Sequence, residues 1–415
     1  MSSTFQYSQE LTSWSSVSWK TKEAYPQRVN YLDSLGMERA CARIGRLPAL
    51  VSQARIDELK DHFAAAANGS AFILVGGDCA ENFDDVQEDI IRDKYRLLQD
   101  QAAKIESVLQ VPVHTIGRIA GQYAKPRSQL METLETGEVV HSFRGHNVNG
   151  IGIQERAPDP ERLVQGYLYA AATVNCLSVI SKLEGREIWT SHEALHLELE
   201  TSQTKQGYNT SAGFLWLGER TNQPNNAHVE YLRGLENPLG VKVGPTATPE
   251  SVLAVLKRLC PQGVANVERV LPPLVEAVRK SPYRVVWMSD PCHGNTISAN
   301  GIKTRCVATM LEEVQRIIDV LCLHGLALGG LHLEQTGEDI HECVAGTTEE
   351  GLQLTAGDKY RTLCDPRLSG EQARRLVHDV AELLKERGPR LEQKQTGWRD
   401  WLSLNWNTET RYPDL

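Results

Sequence analysis

Short apolar runs recur along the chain, and each one ends in polar or glycine-rich sequence. Their lengths and their content of β-branched and aromatic residues predict buried β-strands. The runs are AFILVGG (71–77), VPVHTIG (111–117), EIWTSHE (187–193), GFLWLGE (213–219), LGVKVG (239–244), YRVVWMSD (283–290) and LGGLHLEQ (328–335).

The segments between these runs carry apolar residues at spacings of three and four, which predicts amphipathic helices. The clearest are 88–109, 160–183, 249–259 and 304–325. Strands that alternate with helices over most of the chain indicate parallel β/α units. We therefore predict an α/β fold of the (β/α)8 TIM-type barrel class, in preference to a doubly wound open sheet.

Titratable side chains follow nearly every predicted strand. Because the parallel strands of a barrel all end at one face, these side chains are expected to lie together there. One such residue is as often structural as functional, but a set drawn from seven strands favours a catalytic site. The set includes Cys79, Glu81, Arg118, Glu193, Glu219, Lys242, His293 and Glu334.

Composition narrows the functional classes. The 415 residues are 41% hydrophobic and 23% charged, with a formal net charge of −9. That sign argues against nucleic-acid binding, although local Lys and Arg clusters leave small anionic substrates open. No segment is predicted to be a membrane span or a secretory signal. Nine cysteines without CxxC spacing predict reduced thiols in a cytoplasmic protein.

Four of the residues after strands form a candidate metal site. Cys79, His293 and Glu334 follow three different strands, and Asp365 follows the last one in CDPRL. Mixed sulfur, nitrogen and oxygen ligands suit Mn, Fe, Co or Zn better than Mg or Ca. A metal held in this way would polarise a carbonyl group. Glu81, Cys292, Cys343 and Cys364 remain rival ligands at this stage.

A second group of residues is cationic. The segment RIAGQYAKPRS, which follows a strand, contains Arg118, Lys125 and Arg127. So many cations at one face would repel one another unless anionic substrate groups bind between them. The absence of GxxxxGK[ST] and of a GxGxxG after a strand gives no sign of ATP or NAD. Further cations in loops at the same face are Arg220, Lys242, Lys303, Arg305 and Arg367.

Eight strings in the sequence resemble the type II 3-deoxy-D-arabino-heptulosonate 7-phosphate (DAHP) synthases. They are GGDCAE, RIAGQYAKPRS, TSHEAL, WLGERT, VKVGP, DPCHGNT, HLEQTGED with ECV, and CDPRL. The strings occur in the family's order from about residue 50 to about residue 385. The resemblance implies a (β/α)8 barrel that uses a divalent metal such as Mn or Co. It also implies a transferase that condenses phosphoenolpyruvate with erythrose 4-phosphate at the start of the aromatic, or shikimate, pathway.

The resemblance also assigns roles to individual residues. Cys79, His293, Glu334 and Asp365 match the family's metal ligands. Arg118, Trp216, Glu219, Arg220 and Lys242 match residues around phosphoenolpyruvate. Lys125, Arg127 and Ser128 match the side of the acceptor sugar phosphate. The expected catalytic residues are Cys79, His293, Lys242 and Glu219, with Glu219 acting on the water that adds to C2 of phosphoenolpyruvate.

The sequence departs from the family between residues 245 and 283. The family has a barrel strand there that bears an arginine for the phosphate of phosphoenolpyruvate, whereas this segment has the pattern of helix, turn, helix. We expect this strand to be degenerate or missing, with Arg258 or Arg269 as candidate substitutes. Cys292 and His146 also stand where the family usually has Met and Asp.

The flanking segments complete the prediction. Residues 1–50 form an expected N-terminal helical extension, 51–385 the catalytic barrel and 386–415 a C-terminal tail. The extension and the segment before WLGERT are short, which resembles the unregulated family members of secondary metabolism. We expect a homo-oligomer that has no nucleic-acid or membrane partner.

Two other functions remain open at this stage. One is a diverged enzyme with another donor or acceptor, such as an aminoDAHP synthase or an aldolase that does not use phosphoenolpyruvate. The other is a catalytically weakened homologue that acts as a pathway partner.

Overall fold

The main sheet contains seven parallel strands. The computed structural model describes residues 14–387 except 128, 135, 245–247, 260–274, 276–284, 300–301 and 347–358. With strands numbered along the chain, the sheet consists of β1 (Phe72–Gly77), β2 (Val113–Arg118), β5 (Trp189–Glu193), β8 (Phe214–Leu217), β9 (Leu239–Val241), β10 (Met288–Ser289) and β13 (Gly330–Glu334). Every predicted strand is confirmed, with shorter bounds in most cases.

The strand order identifies the architecture. It is β10-β13-β1-β2-β5-β8-β9, so the last strand in the chain pairs with the first. The register runs from Ile73 opposite Gly330 to Gly77 opposite Glu334. A doubly wound sheet would instead reverse its strand order near the middle. The curled parallel sheet is therefore that of a TIM-type barrel, as predicted.

The sheet is not closed between β9 and β10. No described residue between these strands pairs with either of them. Most of this connection lies outside the described residues. The expected degenerate or missing strand at 245–283 therefore stays a prediction.

Nine α-helices accompany the strands in the described part of the chain. Helix α3 coincides with the predicted segment 88–109, and α4, α7 and α8 lie within a few residues of their predicted bounds. The helices are α1 (Ser34–Ile44), α2 (Gln53–Ala67), α3 (Glu88–Leu109), α4 (Glu161–Glu184), α5 (Leu197–Ser202), α6 (Ala227–Leu232), α7 (Pro249–Leu259), α8 (Val307–Leu323) and α9 (Gly370–Arg387).

Three short antiparallel hairpins were not predicted from the sequence. They are β3 (Met131–Thr133) with β4 (Val139–His141), β6 (Thr204–Lys205) with β7 (Tyr208–Asn209), and β11 (Thr296–Ala299) with β12 (Ile302–Arg305). The third follows β10 at the carboxyl-terminal face and carries Lys303 and Arg305. These strands are too short for their alternation to stand out in the sequence.

Alternation along the strands divides the core into two layers. Ile73, Val75, Ile116, Trp189 and Phe214 belong to one buried cluster inside the sheet. Side chains of the opposite parity, such as Leu74, pack in the larger cluster that includes residues of α3, α8 and α9. Successive strand residues point to opposite faces, which produces this division. The inner layer leaves the last residues of the strands to form the site.

Helix α4 is long and apolar enough, by length and composition, to cross a membrane, contrary to the sequence-based expectation of no such segment. Of its most apolar window, 44% is buried in the fold. Leu163, Val164 and Tyr167 pack in one core cluster with α1, and Leu177 and Ile180 pack in the main cluster. Core helices pass the same test of length and composition, so α4 is weak evidence for a membrane span.

Residues 14–50 lie against the barrel. Trp19 is buried in a cluster with residues of α5 and α6. Helix α1 packs against α4 through Ala40 and Ile44. Helix α9 continues to Arg387, and the predicted tail beyond it lies outside the described residues. The three predicted domain boundaries remain predictions.

Candidate active site

The predicted site residues gather where the parallel strands end. Arg118 and Glu334 are the last residues of β2 and β13. Cys79 follows β1, Lys242 follows β9, and His293 lies in a 3-10 helix after β10. The barrel therefore brings together residues that are far apart in the sequence, because its strands are parallel and adjacent.

Glu334 lies at the centre of one group of charges. Its Oε1 atom is 3.0 Å from an Arg118 nitrogen and 2.9 Å from His293 Nε2, and its Oε2 atom is 2.8 Å from Arg305. Glu334 is fully buried. Burial opposes its ionisation, yet the charges of His293, Arg305, Lys125 and Arg118 hold the pKa of this carboxyl well below its usual range. Glu334 is therefore a buried carboxylate.

Lys125 lies at the centre of the second group. Its Nζ atom is 2.6 Å from Cys79 Sγ and 2.8 Å from Asp365 Oδ2. Cys79 Sγ is 3.6 Å from the same Asp365 oxygen, and Lys303 Nζ is 2.8 Å from the other one. Burial raises the pKa of the Cys79 thiol, and the Lys125 ammonium opposes that change. The two lysines keep Asp365 ionised.

The four predicted metal ligands thus form two pairs. Cys79 lies with Asp365, and His293 lies with Glu334. Lys125 connects the pairs, since its Nζ atom is 4.0 Å from Glu334 Oε1. Among the described residues, no three such side chains are arranged around one common point.

The chemistry of these donors nevertheless fits a divalent transition metal. One sulfur, one imidazole nitrogen and two carboxylates match the preference of such ions. The Lys125 ammonium lies among these donors and balances part of their negative charge, as a divalent cation would.

Three of the four rival ligands are held by backbone groups. The Glu81 carboxylate accepts three N–H bonds, at 2.7–2.9 Å, from residues 120–122. Cys292 Sγ accepts the N–H of the last residue of β13 at 3.2 Å, and burial raises the pKa of this thiol to about 12. Cys343 Sγ donates to a carbonyl of the CDPRL loop at 3.3 Å. Cys364 interacts with Cys79, which makes it the rival nearest to the predicted ligands.

A buried indole between two cations forms a candidate anion subsite. The Arg118 guanidinium is 5.1 Å from the centroid of the Trp216 ring, and Lys242 Nζ is 5.7 Å from it. Lys242 also lies 2.6 Å from Asp290 Oδ2. These two cations and the indole match the predicted environment of phosphoenolpyruvate.

The remaining predicted residues lie at the edge of this site. Glu219 and Arg220 are exposed in the turn after β8. The Glu219 carboxylate lies against Gly244, where a Cβ atom would come within 1.7 Å of Oε1. Arg127 is half-buried, and its Nε donates to the carbonyl of Phe143 at 2.7 Å. Ser128 lies outside the described residues.

Three residues of this site were not among the predicted ligands or binding residues. In the sequence, Arg305 stands only among the further cations of this face, and Asp290 and His332 lie at the ends of two predicted strands without an assigned role. His332 is buried beside Arg118, and its ring lies edge-on to Trp216 at 5.0 Å. Burial first, and then the surrounding cations, hold the pKa of His332 well below its usual range. Its inward position on β13, two residues before Glu334, was the available signal.

The family's missing strand would bring an arginine to the anion subsite beside Trp216. Among the described residues, no candidate substitute lies there. Arg258 lies on α7, where its guanidinium donates to Asn225 at 3.3 Å. The other candidate, Arg269, lies outside the described residues. Neither residue is therefore placed at the anion subsite by the structure.

Fold and site define a TIM-type barrel whose strand ends carry a cluster of cations beside metal-type donors. Residues 14–185 and 178–381 match the class-II DAHP synthetase family. The phospho-2-dehydro-3-deoxyheptonate aldolase of Neurospora crassa is 36% identical over 457 residues, covering 89% of this chain and 94% of that protein. The chain belongs to the class-II DAHP synthetase family.

Two further relatives carry the same enzyme name as the Neurospora protein. The phospho-2-dehydro-3-deoxyheptonate aldolases of Streptomyces coelicolor and Mycolicibacterium smegmatis are 35% and 34% identical, over 87% and 82% of this chain and 95% and 88% of their own lengths. The solved aldolase of the same name from Francisella tularensis has a TM-score of 0.50 and 14% identity, covering 87% of this chain and 98% of that one. The last comparison supports the fold alone.

The alignment with the Neurospora protein is longer than this 415-residue chain. That relative therefore contains segments that have no counterpart in the aligned part of this chain.

Proposed function

We propose that this protein is a DAHP synthase, which condenses phosphoenolpyruvate with erythrose 4-phosphate to give DAHP and phosphate. The observation that carries the proposal is the convergence of Cys79, Asp365, His293 and Glu334 with an anion subsite at one end of a parallel barrel. The relatives, which are named for this chemistry, support it.

Phosphoenolpyruvate binds beside Trp216 in this proposal. Arg118 and Lys242 flank the indole and neutralise the anionic groups of the substrate. Arg220, in the exposed turn after β8, supplies further positive charge from the open side. Because Arg118 is already bonded to Glu334 and His332, its guanidinium is fixed before the substrate arrives.

Cys79, His293, Glu334 and Asp365 would hold a divalent metal such as Mn or Co. Such an ion supplies Lewis-acid polarisation of the acceptor carbonyl. Lys125 and Lys303 contact Asp365 and lie beside the acceptor path. They balance the charge of the Asp365 carboxylate and attract the acceptor phosphate, which limits the mutual repulsion of the anions.

The remaining steps use the residues of the chain. The enol carbon of phosphoenolpyruvate bonds to the aldehyde carbon, and the π bond of the aldehyde breaks onto its oxygen, which takes up a proton. Water adds to C2, and phosphate leaves from C2 with the electrons of the C–O bond. Glu219, against Gly244 in the loop after β9, positions this water and accepts its proton. Holding two anions in register supplies the larger part of the rate enhancement, because it makes a bimolecular step effectively unimolecular.

The cellular setting belongs to the same proposal. Phosphorylated substrates indicate a cytoplasmic enzyme with no nucleic-acid or membrane partner. Exposed apolar side chains of α4, such as Leu168, Val179 and Leu183, support a homo-oligomer. The abbreviated segment before WLGERT supports an unregulated enzyme that serves secondary metabolism.

The test is an assay of phosphoenolpyruvate consumption with erythrose 4-phosphate, on protein reconstituted with Mn or Co. We expect turnover that a chelator abolishes and that phenylalanine or tryptophan leaves unchanged. Cys79→Ala should lower kcat by more than a hundredfold, roughly the effect of losing a metal ligand. The matched control is Cys176→Ala, a half-buried cysteine on α4.

Two outcomes would contradict the proposal. Full metal binding without consumption of phosphoenolpyruvate would indicate a diverged enzyme with another donor. The departure of the segment 245–283 from the family pattern is the sequence feature that would favour this alternative. Equal activity of the two cysteine variants would remove Cys79 from the site.

A further inference from the structure

The N-terminal segment, residues 14–33, packs against the helices and loops that follow β2, β5 and β8. Trp19 and Tyr25 donate side-chain hydrogen bonds to residues of α5 at 2.8 and 2.7 Å. Tyr31 stacks on His196, with ring centroids 5.7 Å apart. Because α5 follows β5, these contacts anchor the segment beside the strand ends that form the site.

Gln27 turns the chain between these anchors. Its φ of 64° is in the left-handed region, which a non-glycine residue adopts at a cost. The turn lets the Gln27 side chain accept the backbone N–H of Arg127, at 2.8 Å from Oε1. The carbonyls of Gln27 and Arg28 accept hydrogen bonds from the Arg144 guanidinium. A strained residue therefore makes side-chain and backbone contacts with the loops at the acceptor side.

Arg127 is held from two directions. Its Nε donates to the Phe143 carbonyl, and the N–H of Lys125 donates to the Arg144 carbonyl at 2.9 Å. Gln27 holds the other side through the Arg127 backbone. Within the described part of the chain, the two Nη groups of Arg127 have no hydrogen-bond partner, so a fixed guanidinium presents two donors to a ligand. This geometry suits two oxygens of a phosphate.

We propose that Gln27 is a positioning residue for the phosphate of the acceptor aldose phosphate, acting through Arg127. The inference rests on the proposed function and adds the N-terminal segment to the active site. Gln27 contacts no substrate. It fixes the backbone from which Arg127 extends, and it thereby favours phosphorylated acceptors over unphosphorylated ones.

The test compares Gln27→Gly and Gln27→Ala with Gln53→Ala. Glycine relieves the positive φ, so this variant should fold at least as well as the wild type. Gln53 is also half-buried, and among the described residues its side chain bonds only the side chain of Gln206, at 2.9 Å. We expect both Gln27 variants to raise KM for erythrose 4-phosphate roughly tenfold, the equivalent of one hydrogen bond. KM for phosphoenolpyruvate, and kcat/KM with unphosphorylated erythrose, should be unchanged.

A double variant separates positioning from a general structural effect. If Gln27 acts through Arg127, Gln27→Gly adds nothing to the loss caused by Arg127→Ala. Additive losses, or equal changes in both KM values, would overturn the inference.

Binding provides a readout that does not need turnover. Calorimetric titration with erythrose 4-phosphate should show roughly tenfold weaker binding to Gln27→Gly than to the wild type. If Gln27→Gly binds erythrose 4-phosphate more weakly than the wild type does, but the wild type shows no turnover, the proposed function fails and the inference stands. Equal affinity of wild type and variant overturns the inference, whatever the activity.

Discussion

Buried charges in this protein are connected in pairs and networks. Asp78 is buried, and its two oxygens lie 2.7 Å from Arg367 and 2.6 Å from Lys94. Burial opposes ionisation of Asp78, but these two cations hold its pKa below the usual value. Asp78 directly precedes Cys79, and Arg367 follows Asp365 in CDPRL. The ion pair therefore ties together two loops that carry predicted metal ligands.

Replacing Asp78 by Asn leaves Arg367 and Lys94 without their shared anion. Removing one partner from a buried charge network costs about 3 kcal/mol of the free energy of unfolding. Asp100→Asn is the control, because Asp100 is an exposed residue whose bond to Arg374 at 2.9 Å should contribute less than about 1 kcal/mol. Urea denaturation of the two variants measures both values. Equal losses would show that the network does not stabilise the fold.

The loop 119–127 is the element that carries the cations of the acceptor side. Glu81 holds its beginning through three backbone N–H groups. Its end packs against Gly145, whose φ of 95° and close approach leave no room for a side chain. A Cβ atom there would lie 2.2 Å from the Tyr123 carbonyl oxygen. The loop position therefore depends on contacts with two other parts of the chain.

Gly145→Ala should displace this loop. We expect a loss of at least roughly 3 kcal/mol, from the strained φ together with the backbone clash. Gly137→Ala isolates the first effect, because Gly137 has a φ of 84° with no atom within 4 Å, and should cost about 1 kcal/mol. Thermal unfolding of both variants checks the difference. Similar stabilities would mean that Gly145 tolerates a side chain.

At the scale of the whole molecule, several buried histidines stay neutral. His228 is fully buried in α6, and its Nε2 lies 3.0 Å from the Leu195 carbonyl. Burial lowers its pKa from 6.5 to about 4. Burial likewise lowers the pKa of His114 to about 4. The unfolded chain binds protons at these residues more tightly than the folded chain does, so acid favours unfolding.

The stability that His228 contributes is present above pH 6.5 and is lost as the pH falls toward 4. Between pH 7 and pH 5, a histidine with these pKa values loses roughly 2 kcal/mol. We expect His228→Gln, whose amide can still donate to Leu195, to reduce the loss of stability between these pH values by about that amount. His341→Gln, at an exposed position, should change nothing. Urea unfolding at both pH values tests this, and equal pH dependence in all three proteins would contradict it.

The order of strands and helices could be predicted from the sequence. Apolar runs and helical periodicity depend on local patterning, which is why 88–109 and α3 coincide. The eight motif strings likewise specified the family and most of the site. These residues lie at the ends of strands or directly after them, and the parallel strands of a barrel all end at one face. They are Cys79, Arg118, Lys242, His293 and Glu334.

Tertiary structure decided the contacts between side chains. Nothing local indicates that Lys125 lies between Cys79 and Asp365, or that Arg305, from an unpredicted hairpin, pairs with Glu334. The contact of Gln27 with Arg127 joins residues 100 positions apart. Such contacts depend on how separate elements pack and on which charges are buried together. The sequence by itself determined the fold, the family and the residue types at the strand ends, and folding determined their partners.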